Sequence, residues 1–396
     1  MLAKRATLIH PSATLAVSAK AKELVAQGKP VIGFGAGEPD FDTPQHIKQA
    51  AVDALQKGDT KYTAVSGTPR LKAAIAAWVK NDLGLDYAPG DVVVSCGAKH
   101  SLYNIFMAVC QEGDEVIIPS PFWLSYPEMV GLAGARPVYL PLKEKDGFQV
   151  DLGKLEHLIT PRTKALIVNS PSNPTGAMWT DEELSRVARL ALAKDFLIIS
   201  DDTYNKIVYG DRPFKSIVSL VPEVREKTLL VNCVSKTYAM TGWRIGWAMG
   251  PKEIIKAMDS IQSHSTSNPT SFAQAGAVAA LEGPQDSVGL MVNEFKQRRD
   301  LMLDLLSQIP GVTVVKPTGA FYMFVNVSGH YGKSCDGMTV KSSLDMVKFL
   351  LEKVFLAVVD GASFGSDDHI RLSYATGREQ IEQGVKRLGE ALATLA

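Results

Sequence analysis

Between residues 90 and 250, short aliphatic runs alternate with helical stretches, and this alternation restricts the fold more than any other feature. Seven runs read as strands: 91–95 (DVVVS), 115–118 (EVII), 137–140, 164–169 (KALIVN), 196–201 (FLIISD), 228–232 (TLLVN) and 244–249. Stretches 98–110, 127–134 and 181–193 read as helices between them. Thr180 followed by Glu183 forms a capping box that starts the last one. The alternation predicts an α/β chain with a mostly parallel seven-stranded sheet, helices on both faces, and any ligand at the carboxyl ends of the strands.

The C-terminal part has a different rhythm. A charged amphipathic helix at 293–308 precedes strands at 312–316 and 320–327, a helix at 343–353, strands at 356–359 and 369–374, and a helix from 377 onward. Strands with helices on one side predict a smaller α+β domain. The first 45 residues are too few for a core of their own and are expected to pack against it. The expected division is a large domain at 46–290 and a small domain formed by 1–45 with 291–396.

Lys+Arg and Asp+Glu both number 42, so the formal net charge is zero. A partner such as nucleic acid or an anionic membrane calls for a basic excess, and none is expected here. The four cysteines, Cys96, Cys110, Cys233 and Cys335, are scattered, without CxxC or histidines at zinc spacing, so no metal site is expected. The first 20 residues hold no apolar signal core, and no window reaches the ~18–20 apolar residues of a membrane span. The expected location is the cytoplasm.

Two segments compete as the chemical centre. Residues 31–37, VIGFGAG, carry alternating glycines, but the third comes one residue early for a dinucleotide fingerprint. The prolines of EPDFDTP then keep a helix from starting there. The remaining reading is a backbone that must approach something closely. The second segment, 235–246 (SKTYAMTGWRIG), places Lys236 just past an apolar strand. A lysine there can be a surface residue. Its apolar neighbours Val234, Tyr238, Met240 and Trp243 instead predict a desolvated amine of lowered pKa, suited to a Schiff base with an aldehyde. Arg244 offers a fork for phosphate, and Ser235 a hydroxyl.

This segment resembles the lysine signature of the fold-type I, class I aminotransferases, which depend on pyridoxal 5′-phosphate. The likeness runs along nearly the whole chain: GEPDFDTP at 37–44, KYTAVSGTPRLKAAIA at 61–76, CGAKHSLYN at 96–104, PFWLSYPE at 121–128, NSPSNPTG at 169–176, SDDTYNKIVY at 200–209 and HIRLSYA at 369–375. Within the class it is most similar to bacterial-type aspartate aminotransferases, some of which also use prephenate.

The resemblance implies roles for individual residues. Lys236 would carry the cofactor, with Asp201 holding its pyridine nitrogen protonated and Tyr204 and Asn173 bonding its phenolic oxygen. Gly97, Ala98 and Lys99 would offer helix N-terminal amides to its phosphate, completed by Ser235 and Arg244. Tyr62 would reach the phosphate of a partner subunit, which implies a homodimer with active sites at the interface. Trp123 would stack on the pyridine ring. Cys233 stands where relatives often carry Ser or Gly, and as a poor donor it is not expected to bind phosphate.

For the substrate, Arg371 resembles the clamp on the α-carboxylate, with Gly37 and Asn173 beside it. The arginine that one branch of the family takes from the neighbouring subunit has no counterpart, since Ser263 holds its place. Lys99 and Thr14 resemble the residues that meet the second carboxylate in the bacterial branch. The implied substrates are small amino acids and 2-oxo acids, first L-aspartate with 2-oxoglutarate. The alternative is an aromatic or other neutral amino acid, which needs no distal cation. A lyase of the same fold, a non-catalytic regulator and a nicotinamide dehydrogenase remain as further readings.

Overall fold

The computed structural model describes residues 2, 3, 7, 9 and 13–396, with the side chains of 13–18 outside the description. The first strand is β1 (Ile32–Gly33). Seven follow: β2 (Val92–Ser95), β3 (Glu115–Ser120), β4 (Arg136–Pro141), β5 (Thr163–Asn169), β6 (Leu197–Asp201), β7 (Thr228–Cys233) and β8 (Gly246–Met249). The C-terminal part adds β9 (Thr313–Val314), β10 (Tyr322–Asn326), β11 (Ser334–Cys335), β12 (Met338–Thr339), β13 (Leu356–Ala357), β14 (Val359–Asp360) and β15 (His369–Ser373).

Strands β2 to β8 make one sheet in the order β2-β8-β7-β6-β5-β3-β4. All its pairings are parallel except those of β8, which runs antiparallel to both β2 and β7. The expected sheet is thus present, with one strand reversed. Its central strands are apolar on both faces because helices cover both. Val94, Val168, Ile198 and Leu230 pack on one side. Val93, Ile167, Ile199 and Val231 pack on the other, where the helix Ala98–Val109 supplies Leu102, Ile105 and Phe106. Such strands read as continuous apolar runs rather than alternation. Truncating one of these aliphatic side chains to alanine costs roughly 2–5 kcal/mol.

Helix starts follow local chemistry. Thr180 Oγ1 accepts from Glu183 N at 3.1 Å, and Glu183 Oε2 accepts from Thr180 N at 2.6 Å. This is the expected capping box, worth about 1 kcal/mol, and it opens the helix Asp181–Lys194.

A second sheet, antiparallel, has the order β14-β15-β10-β9. Its core gathers Phe295, Phe321, Ile370 and Leu388, together with Ile32 and Phe34 from the N-terminal segment. That segment is fastened by β1, which pairs in parallel with β13. The run 356–359, read as one strand, is two short ones that serve different sheets, β13 with β1 and β14 with β15. Tyr204, Ile207 and Tyr209, just past β6, join this second core and tie it to the large sheet.

Candidate active site

The carboxyl ends of β5, β6 and β7 floor a cavity of about 670 Å³, well within the usual range for small-molecule sites. Three neighbouring strands deliver residues to it in turn. Asn169 ends β5 and Asp201 ends β6, while Cys233 ends β7 and caps the four-residue helix Val234–Thr237 that carries Lys236. The cavity is also lined by Lys99, Trp123, Asn173, Tyr204, Ser235 and Arg244, and on the small-sheet side by Gly37, Tyr322 and Arg371.

Lys236 is tied down by its surroundings. Its Nζ donates to Gly37 O at 2.6 Å. Burial lowers its pKa, and the positive Arg244 and Arg371 push the same way against Cys233 and Glu38. The amine is thereby biased toward its neutral, nucleophilic form. The glycine-rich run 31–37 is explained too. Its carbonyls turn inward, Gly37 O toward Lys236 and Gly35 O toward Arg371.

Arg244 reaches the same cavity by an unusual backbone. It lies at φ +56° in the left-handed region after the turn Thr241–Trp243. The strand read as 244–249 therefore begins only at Gly246. The turn aims the guanidinium at the start of the helix Ala98–Val109, where it donates to Thr241 O at 2.8 Å and Cys96 O at 3.2 Å. Two glycines permit this approach. A side chain on Gly97 would meet Arg244 Nη2 at 2.4 Å, and one on Gly246 would meet Ala98 N at 2.2 Å. Gly97 N–H is itself engaged with Ser95 O at 2.7 Å. The amides of Ala98 and Lys99 remain, in the first turn, where no intrahelical acceptor exists. The helix terminus and Arg244 together concentrate positive charge at this corner of the cavity.

Asp201 is buried beneath the cavity. Tyr126 Oη donates to Oδ2 at 2.7 Å and Thr203 N to Oδ1 at 3.2 Å. Burial raises its pKa, while these bonds and Lys236 oppose the rise. A positive group at the cavity floor would complete the balance in favour of the carboxylate. Its neighbour Asp202 does not line the cavity. It accepts from Ser200 Oγ at 2.7 Å, and burial beside Asp201 pushes it up to about 8.

Arg371 is 2% exposed. Its Nη1 donates to Asn173 Oδ1 at 3.1 Å and its Nη2 to Gly35 O at 3.0 Å, and it packs against the rings of Tyr322 and Phe364. Its Nε has no partner, and no carboxylate among the described residues pairs with it. A buried guanidinium held only by neutral acceptors is set up to receive a carboxylate. Lys99 lies over the Trp123 ring at 5.0 Å, and burial and Arg244 lower its pKa. Tyr204 Oη lies 2.9 Å from Tyr322 Oη.

Tyr62 does not line the cavity and is 90% exposed. Thr14 falls in the helix Ala13–Ala26, and its side chain lies outside the described residues. Sequence reasoning missed Tyr126, Thr203 and Tyr322. Tyr126 stands in the motif PFWLSYPE, but nothing there points to Asp201; Tyr322 carried no signal beyond an apolar strand.

Residues 29–388 match the family described as aminotransferase class I and II. The chain belongs to that family. An aspartate aminotransferase of Geobacillus stearothermophilus is 51% identical over 98% of each chain. A probable aspartate/prephenate aminotransferase of Aquifex aeolicus is 48% identical over 99% of this chain and 98% of its own. Among solved structures, the aspartate aminotransferase from Rhizobium meliloti superposes with a TM-score of 0.96 at 43% identity over all of both chains. That from Thermus thermophilus with maleate gives 0.93 at 42% over 99% of each. As an aminotransferase, the protein is an enzyme of the α/β, fold-type I class. Among the described residues no helix is long and apolar enough to cross a membrane, and no side-chain cluster suits a metal ion.

Proposed function

We propose that the enzyme transfers the amino group of L-aspartate to 2-oxoglutarate, using pyridoxal 5′-phosphate, as a cytoplasmic homodimer. One observation carries this reading: a single cavity joins a desolvated lysine, a buried aspartate, a helix terminus beside Arg244, and two further cationic side chains, Arg371 and Lys99. The residues fit the cofactor. Lys236 would bind its aldehyde, and Asp201 would pair with its ring nitrogen. Asn173 and Tyr204 would bond its phenolic oxygen, and Trp123 would cover its ring. Ala98, Lys99, Ser235 and Arg244 would hold its phosphate, with Gly97 giving room. When bound, the cofactor supplies an electron sink for the carbanion formed at the substrate's Cα.

The protein's own groups do the rest. Arg371 binds the α-carboxylate as a fork, with Asn173 and Gly37 beside it. The Lys236 amine, released from the aldehyde when the substrate's own amine takes its place and with its pKa lowered by burial, would take the proton from Cα as general base and return one as general acid. Asp201 would pair with the cofactor's ring nitrogen and favour that nitrogen's protonated form. Lys99, with Thr14, meets the distal carboxylate. Relatives named for both substrates support prephenate as a further oxo acid, its second carboxylate meeting the same Lys99 and Thr14. Exposure of Tyr62 suits a residue that completes a partner's site. The separate cores under the two sheets support a division into 46–290 and 1–45 with 291–396.

Lys99→Ala tests the substrate. The kcat/KM for L-aspartate should fall about 10- to 100-fold, the worth of one charge-assisted contact, while that for L-alanine stays unchanged. Equal losses for both would turn the reading toward neutral amino acids.

A further inference from the structure

One carboxylate from the edge of the large sheet holds a whole rung of the small one. Glu144 opens the short turn Glu144–Asp146 that follows β4. Thr313 Oγ1 donates to its Oε1 at 2.6 Å, and Asn326 Nδ2 donates to its Oε2 at 2.7 Å. His369 Nε2 lies 3.3 Å from the same Oε2, off the line of a good hydrogen bond. Register places Thr313 opposite Asn326 and Asn326 opposite His369. The three contacts are therefore neighbours across β9, β10 and β15.

That rung is mechanically close to the carboxylate site. Arg371 lies two residues beyond His369 on β15, on the same face by the alternation of a strand, and opposite Phe324 in register. The His369 ring stacks on Phe324, with centroids 4.5 Å apart and planes at 2°. Phe148, in the segment just after Glu144, meets both rings edge-on. Phe364 packs against Phe324 at 6.2 Å and against the Arg371 guanidinium at 4.9 Å. The opposite end of β10 is fastened independently, where Ala320 N donates to Ile207 O at 2.9 Å. A shift of the Glu144 rung is thus passed along β15, and through the stacked rings, to Arg371.

We propose that Glu144 is a positioning residue for substrate binding: by holding the Thr313–Asn326–His369 rung it sets where the Arg371 guanidinium meets the α-carboxylate. The inference rests on the reading of Arg371 given above. Its donors are two neutral groups, because burial keeps His369 toward its neutral form despite Glu144 and Asp368. A glutamine at 144 retains one acceptor oxygen and loses the other.

The test uses full-length Glu144→Ala and Glu144→Gln enzymes loaded with pyridoxal 5′-phosphate. The half-reaction with L-aspartate is followed by the visible cofactor band, and half-saturation and saturated rate are read separately. Half-saturation should rise about tenfold for alanine and about threefold for glutamine, a displacement well under 1 Å. The saturated rate should stay within about twofold. The rise in melting temperature given by maleate, an unreactive dicarboxylate, should shrink in both variants. A merely structural tie would lower the melting temperature of the variants and leave half-saturation alone, and that result would overturn the proposal. Glu144→Gln, nearly isosteric, carries the test if the alanine variant does not fold. A wild-type band that ignores L-aspartate would sink the reading of the site and this inference with it. A responsive wild type matched by Glu144→Gln would sink this inference alone.

Discussion

The floor and the wall of the cavity present their chemistry from different places on a strand. The floor is the carboxyl edge of the large sheet, where Asn173, Asp201 and Lys236 all sit at or just past strand ends. The wall is the antiparallel sheet, where Arg371 stands in the middle of β15, 2% exposed. A strand end leaves its side chain free to meet a ligand while the strand behind it supplies rigidity. A mid-strand arginine has no such freedom, so its place depends on everything packed around it. On the function proposed above, the floor does the chemistry and the wall recognises the substrate.

Three substitutions can break that comparison. Lys236→Ala removes the proposed acid–base group from the floor and should cost about 10⁴-fold in turnover. Its melting temperature should stay close to that of the wild type. Near-normal turnover would end the assignment of Lys236. Arg371→Lys keeps the charge of the wall but loses the fork and the ring contacts. Its kcat/KM for L-aspartate should drop about 10- to 100-fold, mostly through KM. A fall in kcat alone would place Arg371 with the floor.

The smallest effect concerns the pair at the end of β6. Asp202 is pushed up to about 8 by burial and by Asp201, from an ordinary value of 3.8. Between those values the folded state binds the proton more tightly than the unfolded chain, so stability falls as pH rises from about 4 to 8. Asp202→Asn removes that contribution. Its melting temperature should change less between pH 5 and 8 than that of the wild type, with turnover little altered. Identical pH profiles would show that Asp202 does not titrate in this window.

The floor was more legible in the sequence than the wall, for the same physical reason. Runs such as FLIISD announce a buried strand and the polar residue that ends it, so Asp201 and the lysine past TLLVN could be found by position. The large sheet followed from its alternation, although the reversed direction of β8 did not. On the wall, Arg371 was found only through the motif HIRLSYA. Its neighbours Tyr322 and Phe364 look like ordinary core residues. Tyr126 escaped because its bond to Asp201 joins residues 75 apart. Glu144 gave no signal, since its three contacts come from strands more than 160 residues away.

The most direct test of the account is the visible absorption spectrum of the purified enzyme, before and after L-aspartate is added without any oxo acid. The account predicts a band from the lysine-bound cofactor that aspartate converts to the pyridoxamine form, and that 2-oxoglutarate then restores. A band that aspartate leaves unchanged would contradict the assignment of the substrate. No band, even after pyridoxal 5′-phosphate is supplied, would contradict the assignment of the site.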